Sequence, residues 1–289
     1  MLKKIMISLL ALVLIASGCA RKNKETETNH LVRLFDSYDQ KETSKGKFQF
    51  KADDQSVYIK RKGDYIATPF NNGYDVFAND EIAYYMDSEL LMRYDFANGE
   101  STQMAVMPVS KDYQDMPDYF KISAAVEDMF YITRNSMSEF CYTTYSYNLL
   151  TGVTNEEFNG GILDVKDDYA IVNVGYATDV SATKHAIYQL SFSGAKHIKN
   201  LGKYCKGVEI VGEKIYFCSY KTRDSMSQCT LYRCSLEGKN KEKVATFKVK
   251  DPYGIVVAFD YTEDACTVMK NDQTYHYTYE TASYEKVEE

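Results

Sequence analysis

Lys214-Ile215-Tyr216-Phe217, followed by Leu231-Tyr232-Arg233-Cys234-Ser235-Leu236 and Gly238, is the stretch on which the reading of the fold turns. Apolar and polar residues alternate through both runs, the period of a strand with one buried face. Turn residues bound them, Gly212-Glu213 before the first and Gly238 after the second.

The same order recurs on both sides. Upstream, Asp168-Tyr169-Ala170-Ile171-Val172 precedes Ile187-Tyr188-Gln189-Leu190-Ser191-Phe192 and Gly194. Before that, Val126–Tyr131 precedes Tyr145-Ser146-Tyr147-Asn148-Leu149 with Thr151-Gly152, and Ile82-Ala83-Tyr84-Tyr85 precedes Leu91–Phe96 with Asn98-Gly99. Downstream, Asp264–Val268 precedes Tyr275–Tyr279, with Ala282 in place of the glycine. Turn positions 99, 152, 194, 238 and 282 are 53, 42, 44 and 44 residues apart. Units of this length, each with room for four short strands, predict an all-β fold: a β-propeller of four-stranded blades. A single blade has two apolar faces and covers both only by stacking on its neighbours. The glycines have a direct cause, because a tight hairpin needs a residue at positive φ. Residues 47–70 hold three further runs, at Phe48, Val57 and Tyr65, and make a divergent first blade, with Leu31 to Phe35 as an added strand. The count is then six blades, or five if 47–70 supply only one closing strand.

The Lys214–Gly238 unit resembles the low-density-lipoprotein-receptor type of propeller, whose repeats read Ile-Tyr-Trp-Thr-Asp before a Leu-Tyr-Arg–Leu–Gly strand. It is also similar to a poorly characterised propeller family of secreted Gram-positive proteins. Cys218 and Ser219 stand where the receptor pattern has Thr and Asp. The resemblance implies a binding or scaffold role and no catalytic residue.

The N-terminus carries an address. Lys3 and Lys4 precede the uncharged apolar run Ile5–Ile15, then Ala16-Ser17-Gly18-Cys19. The run is too short for a spanning helix, which needs about 20 residues, and suits a secretory signal. Ile15–Cys19 resembles the lipobox of bacterial lipoproteins, with Ala16 where leucine is commoner. Residues 1–18 are therefore read as a signal peptide and Cys19 as the lipidation site. Residues 19–45 are read as a flexible polar tether, and 46–289 as the propeller domain. The expected location is the exported side of a cell membrane or outer envelope, held by the lipid anchor.

The chain has 34 basic and 41 acidic residues, which leaves no electrostatic footprint for nucleic acid. It holds 26 Tyr, 14 Phe and no Trp. Tyrosine suits a strand whose ring packs while its hydroxyl reaches a polar edge. Tyr275, Tyr277 and Tyr279 should share one sheet face. Six cysteines follow Cys19, and Cys218 with Cys229 are the best placed to meet across a hairpin, as a disulfide or as buried thiols.

No catalytic or cofactor motif is present: no Gly-x-Ser-x-Gly, His-Glu-x-x-His, phosphate loop or calcium loop. No cofactor or metal is expected. Asp112, Asp115 and Asp118 recur every third residue and read as a solvated acidic turn. The primary expectation is a non-catalytic binding or scaffold module for a protein or glycan. The alternatives are a carbohydrate-active hydrolase or lyase, which needs only two spaced carboxylates, and an envelope assembly factor.

Strand order also predicts a working face. First-to-second and third-to-fourth strand turns lie at one end of a blade and are short here. Second-to-third turns and the links between blades lie at the other end, and they contain the longer segments Val109–Tyr119, Thr133–Glu139, Gly175–His185 and Tyr220–Gln228. Long loops on a rigid scaffold usually carry binding. The candidate ligand contacts are Asp112, Tyr113, Arg134, Tyr176, Asp179, His185, Lys221 and Arg223.

Overall fold

The computed structural model describes residues 31–53, 56–109, 118–136, 141–174, 184–203, 205–223, 226–250 and 256–287. Strand β1 (Val32–Arg33) comes first, and six antiparallel sheets follow. The first blade is β2–β5 (Glu42–Lys45, Phe48–Ala52, Val57–Arg61, Asp64–Ala67) and the second is β6–β9 (Phe77–Ala78, Ile82–Asp87, Leu90–Asp95, Ser101–Val106). The third is β10–β13 (Tyr119–Val126, Met129–Ser136, Cys141–Asn148, Thr154–Asn159) and the fourth β14–β17 (Gly161–Lys166, Tyr169–Val174, Lys184–Ser191, Gly194–Lys203). The fifth is β18–β21 (Cys205–Val211, Lys214–Arg223, Met226–Ser235, Glu242–Val249) and the sixth β22–β25 (Val256–Phe259, Ala265–Lys270, Gln273–Thr278, Ser283–Lys286). This is a six-bladed β-propeller. The first strands of the third to sixth blades neighbour one another around the axis.

Residues 47–70 thus belong to a complete blade. Its first strand, Glu42–Lys45, falls inside the segment read as tether. The added strand from Leu31–Phe35 is β1, and it joins the second blade: Val32 pairs with Ala78 and Arg33 with Phe77.

The five positions that set the sequence spacing all lie in left-handed backbone. Gly99, Gly152, Gly194 and Gly238 have φ of 79°, 72°, 115° and 70°, and Ala282 sits at 51°. The turn, not the glycine, is the repeated feature.

Cohesion between blades comes from buried clusters, one at each successive junction. Phe50, Ile59, Phe70 and Tyr85 join the first blade to the second, while Leu91, Ile122 and Phe130 join the second to the third. Ala124, Tyr131, Val172 and Leu190 join the third to the fourth; Ile171, Ile215 and Phe217 join the fourth to the fifth. Leu231, Phe247, Val256 and Val268 complete the series between fifth and sixth. Among the described residues no comparable cluster joins the sixth blade to the first, and no strand is shared between them. Gly73 is required where the chain enters the second blade, since a Cβ there would lie 2.0 Å from the Phe35 ring.

The tyrosine content follows from this stacking. Tyr131 is fully buried in the third blade, and its hydroxyl donates to Ser191 O at 2.7 Å in the fourth. The same oxygen accepts from Ser191 N at 3.1 Å. Tyr147 reaches back to Met104 O in the second blade at 3.4 Å. The ring fills the apolar layer and the hydroxyl ties the next sheet. Tyr275, Tyr277 and Tyr279 do share a face: Tyr277 touches Tyr279, and both Tyr275 and Tyr277 meet Tyr284.

Candidate functional site

The wall of the central channel is built by strands that bulge at one level. Register shifts fall between Ile122 and Ala124, Ile162 and Asp164, and Lys206 and Glu209, in the first strands of three successive blades. A bulge re-aims the side chains next to it. Asp164 Oδ2 accepts Ile210 N of the next blade at 3.2 Å, and the Glu209 carboxylate accepts Asp260 N and Tyr261 N of the sixth, each at 3.1 Å. The two carboxylates therefore brace blades four to five and five to six. Across the channel the Arg33 guanidinium donates to Tyr74 O at 2.7 Å and Ser123 O at 2.8 Å, and lies over the Tyr74 ring at 4.1 Å. It fastens β1 to the second and third blades. Arg33, Tyr74, Ser123, Asp164 and Asp167 line a cavity of about 160 Å³.

Burial raises both carboxyl groups above their ordinary values, against the lowering effect of the amides they accept; Asp164 and Glu209 also repel one another. A carboxyl raised by folding stabilises the fold fully below its unfolded pKa, and that contribution fades as pH rises through its folded pKa. Stability should consequently fall as pH climbs from the ordinary carboxylate range toward neutrality. Asp164→Asn/Glu209→Gln should show a smaller fall than the parent in melts across this range. Parallel curves would remove this assignment.

Arg134 and Asp118 form a second polar centre. Arg134 Nη1 lies 3.8 Å from Asp118 Oδ2, and their side chains retain only 10% and 4% exposure. Arg134 belongs to β11, opposite Phe120 and Thr143, not to a loop. The segment Thr133–Ser136, read as loop, is strand, and Asp118 is a buried ion-pair partner rather than part of a solvated turn. A hydroxyl chain runs beside it, from Ser123 Oγ to Thr133 Oγ1, Thr144 Oγ1 and Gly160 O, at 2.8, 3.2 and 2.8 Å.

The other candidates are dispersed. His185 is buried in β16, opposite Asn173 and Gly202. Lys221 is exposed in β19 opposite Gln228, and Arg223 ends that strand opposite Met226. The stretch Tyr220–Gln228 is thus mostly an extended hairpin, not a long loop. Cys19, Asp112, Tyr113, Tyr176 and Asp179 lie outside the described residues. Those described occupy three successive blades rather than one cluster.

Sequence reasoning missed a cleft. A cavity of about 350 Å³ opens beside the first blade, under the link to the second, on the end that carries the links and second-to-third turns. Its lining includes Ser37, Tyr38, Asp39, Asp53, Asn71 and Asn72. Tyr38 is 59% exposed, packs against the Tyr74 ring at 4.2 Å, and donates to Asp75 Oδ1 at 3.2 Å. Burial and Asp75 push its phenol up to about 12. Asn72 is preset by Asp75 and by Tyr74 N, at 2.9 and 2.7 Å. Half of this lining lies in the segment read as tether, where only the Asp36–Asp39 turn residues hinted at structure.

Cys218 and Cys229 are both buried and meet as thiols. Cys218 faces Leu231 and Cys229 faces Tyr220, a diagonal relation. Diagonal positions stand about 7–8 Å apart at Cα, beyond the usual disulfide range. The hydrogen bond between the two thiols lowers Cys218 and, with burial, raises Cys229; Tyr261 adds a donor to the Cys218 sulfur at 3.2 Å.

No family model matches the chain, and no curated protein matches it. Among solved structures it is similar to an oligogalacturonate lyase in complex with manganese, at 13% identity over 83% of this chain and 73% of that one, with a TM-score of 0.49. An oligogalacturonate lyase from Vibrio parahaemolyticus gives 12% identity, coverage of 89% and 79%, and the same TM-score. The β-propeller domain of the Trilobed protease from Pyrococcus furiosus gives 12%, 86%, 69% and 0.37. The propeller assignment rests on the chain's own six sheets.

Proposed function

We propose that this chain is an exported lipoprotein, anchored by lipid on Cys19, whose propeller acts as a non-catalytic module that binds a protein or glycan. The observation that carries the reading is the cleft of about 350 Å³ beside the first blade and its link to the second. Its size falls in the range of ligand sites, and it lies on the end that sequence reasoning proposes for binding. An exposed aromatic ring, amides and carboxylates give it both apolar and hydrogen-bonding surface. The hydrolase or lyase alternative would draw on Asp164 and Glu209, whose oxygens are engaged by backbone amides of the next blade.

A photo-crosslinking residue at Ser37 or Asn71 should capture the ligand in the native host, while the same residue at Glu263, on the opposite end, should not. Adducts from Glu263 alone would place binding on the wrong face.

A further inference from the structure

Strand β1 enters the domain from the end that carries the short turns. Val32 pairs with Ala78, next to the Asn79–Glu81 turn, and Arg33 lies deeper, opposite Phe77. The chain from Cys19 therefore reaches the propeller on the end opposite the cleft. Twelve residue steps separate Cys19 from Leu31, which extend to at most about 43 Å. To bring the cleft end to the membrane, this segment would travel roughly 19 Å outward across the five-stranded second blade. It would then run roughly 20 Å along strands six residues long. That path consumes nearly the whole reach. The turn end has no such requirement.

On that end two neighbouring blades hold out apolar side chains. Leu150 is 77% exposed and Phe192 62%, each at the third-to-fourth turn of its blade, with Val153 49% exposed beside Leu150. Both turns are ordered. Asn148 Oδ1 accepts Leu150 N and Thr151 N at 2.9 Å, and Tyr131 grips Ser191 at the base of the Phe192 turn. They belong to the third and fourth blades, of which the third adjoins the blade that receives β1.

Resting on the lipid anchor at Cys19, we infer that the turn end of the propeller sits on the lipid surface, with Leu150 and Phe192 entering the headgroup layer and the cleft facing away. Arg21, Lys22 and Lys24 beside the anchor add attraction to anionic headgroups. The acidic turn pairs Asp80-Glu81, Glu127-Asp128 and Asp167-Asp168 lie at the inner, first-to-second turns of blades two, three and four. An anionic surface repels them, which lifts the channel rim and leaves the peripheral turns of blades three and four as the contact. Exposure alone does not choose the end, since Tyr119 is 62% exposed on the opposite one. The point of entry chooses it.

The chain contains no tryptophan, so one introduced indole reports its own position. Leu150→Trp, Phe192→Trp and Tyr119→Trp would be purified from the host and reconstituted into phosphatidylethanolamine–phosphatidylglycerol vesicles carrying brominated acyl chains. Fluorescence at positions 150 and 192 should be quenched roughly twofold or more beyond that at 119, with a blue shift, as interfacial residues require. Equal quenching at all three, or the strongest at 119, in protein that floats with the vesicles would overturn the orientation and leave the anchor standing. Protein that does not float would overturn the anchor, and the orientation with it.

Discussion

Arg134→Ala should cost roughly 3–5 kcal/mol, the usual penalty for removing one partner of a buried ion pair. For a domain of this size that corresponds to a melting temperature roughly 6–20 °C lower. The reason lies in the geometry: Asp118 remains, its side chain only 4% exposed, with its counter-charge gone. Asp118→Ala should cost a similar amount, since it takes the carboxylate from beside a buried guanidinium. Replacing both partners with apolar residues, as in Asp118→Leu/Arg134→Met, should recover much of the loss, because no buried charge is then left alone. Thermal or urea melts of the three variants check this. A double variant as unstable as the sum of the singles would mean that Arg134 acts through packing and its other contacts. Because Arg134→Ala weakens the fold, a ligand-capture defect in that variant counts toward a contact role for Arg134 only beside a folding control.

Tyr131→Ala should be comparably severe, about 3–5 kcal/mol, because it empties a fully buried aromatic site at the junction of the third and fourth blades. Tyr131→Phe separates the two roles of the side chain. It keeps the ring and deletes the hydroxyl, leaving the amide and carbonyl of Ser191 without the partner that met both. That should cost about 1–3 kcal/mol. Burial pushes the phenol up to about 12, so it remains protonated, and a donor, throughout the neutral range. Hydrogen exchange in Tyr131→Phe should quicken first at the turn between Ser191 and Gly194. Exchange unchanged there, with stability lost elsewhere, would contradict the bridging role.

The six-blade architecture was legible because the turns repeat even where the side chains do not. Ala282 shows this, holding φ of 51° in the turn where the other five blades have glycine. One strand escaped notice because it lacks the period that would mark it, while the expected strand within Leu31–Phe35 was legible only as an apolar run. Glu42–Lys45 contains no apolar residue, and it is a strand because Phe48–Ala52 offers it a hydrogen-bonding edge. Val32–Arg33 is too short to show any alternation, and tertiary bonds from Arg33 fix it in place.

The site was harder to read. Thr133, Arg134, Asn135 and Ser136 look like a polar loop, yet Thr133, Arg134 and Ser136 are buried. Hydroxyl partners in adjacent strands make that burial tolerable, and sequence spacing does not reveal them. Lys221 is polar for a different reason: it is exposed on one strand of a hairpin whose strands run to ten residues. The cleft escaped because it brings together segments distant in sequence, the link Asn71–Tyr74, the turn at Asp53 and residues just before β2.

Everything about orientation and partner depends on the anchor. The N-terminal peptide of the protein, recovered from host membranes and weighed by mass spectrometry, tests it most directly. It should begin at Cys19 and carry lipid on that residue. A peptide that still contains residues 1–18, or one that begins at Cys19 without lipid, would contradict the account.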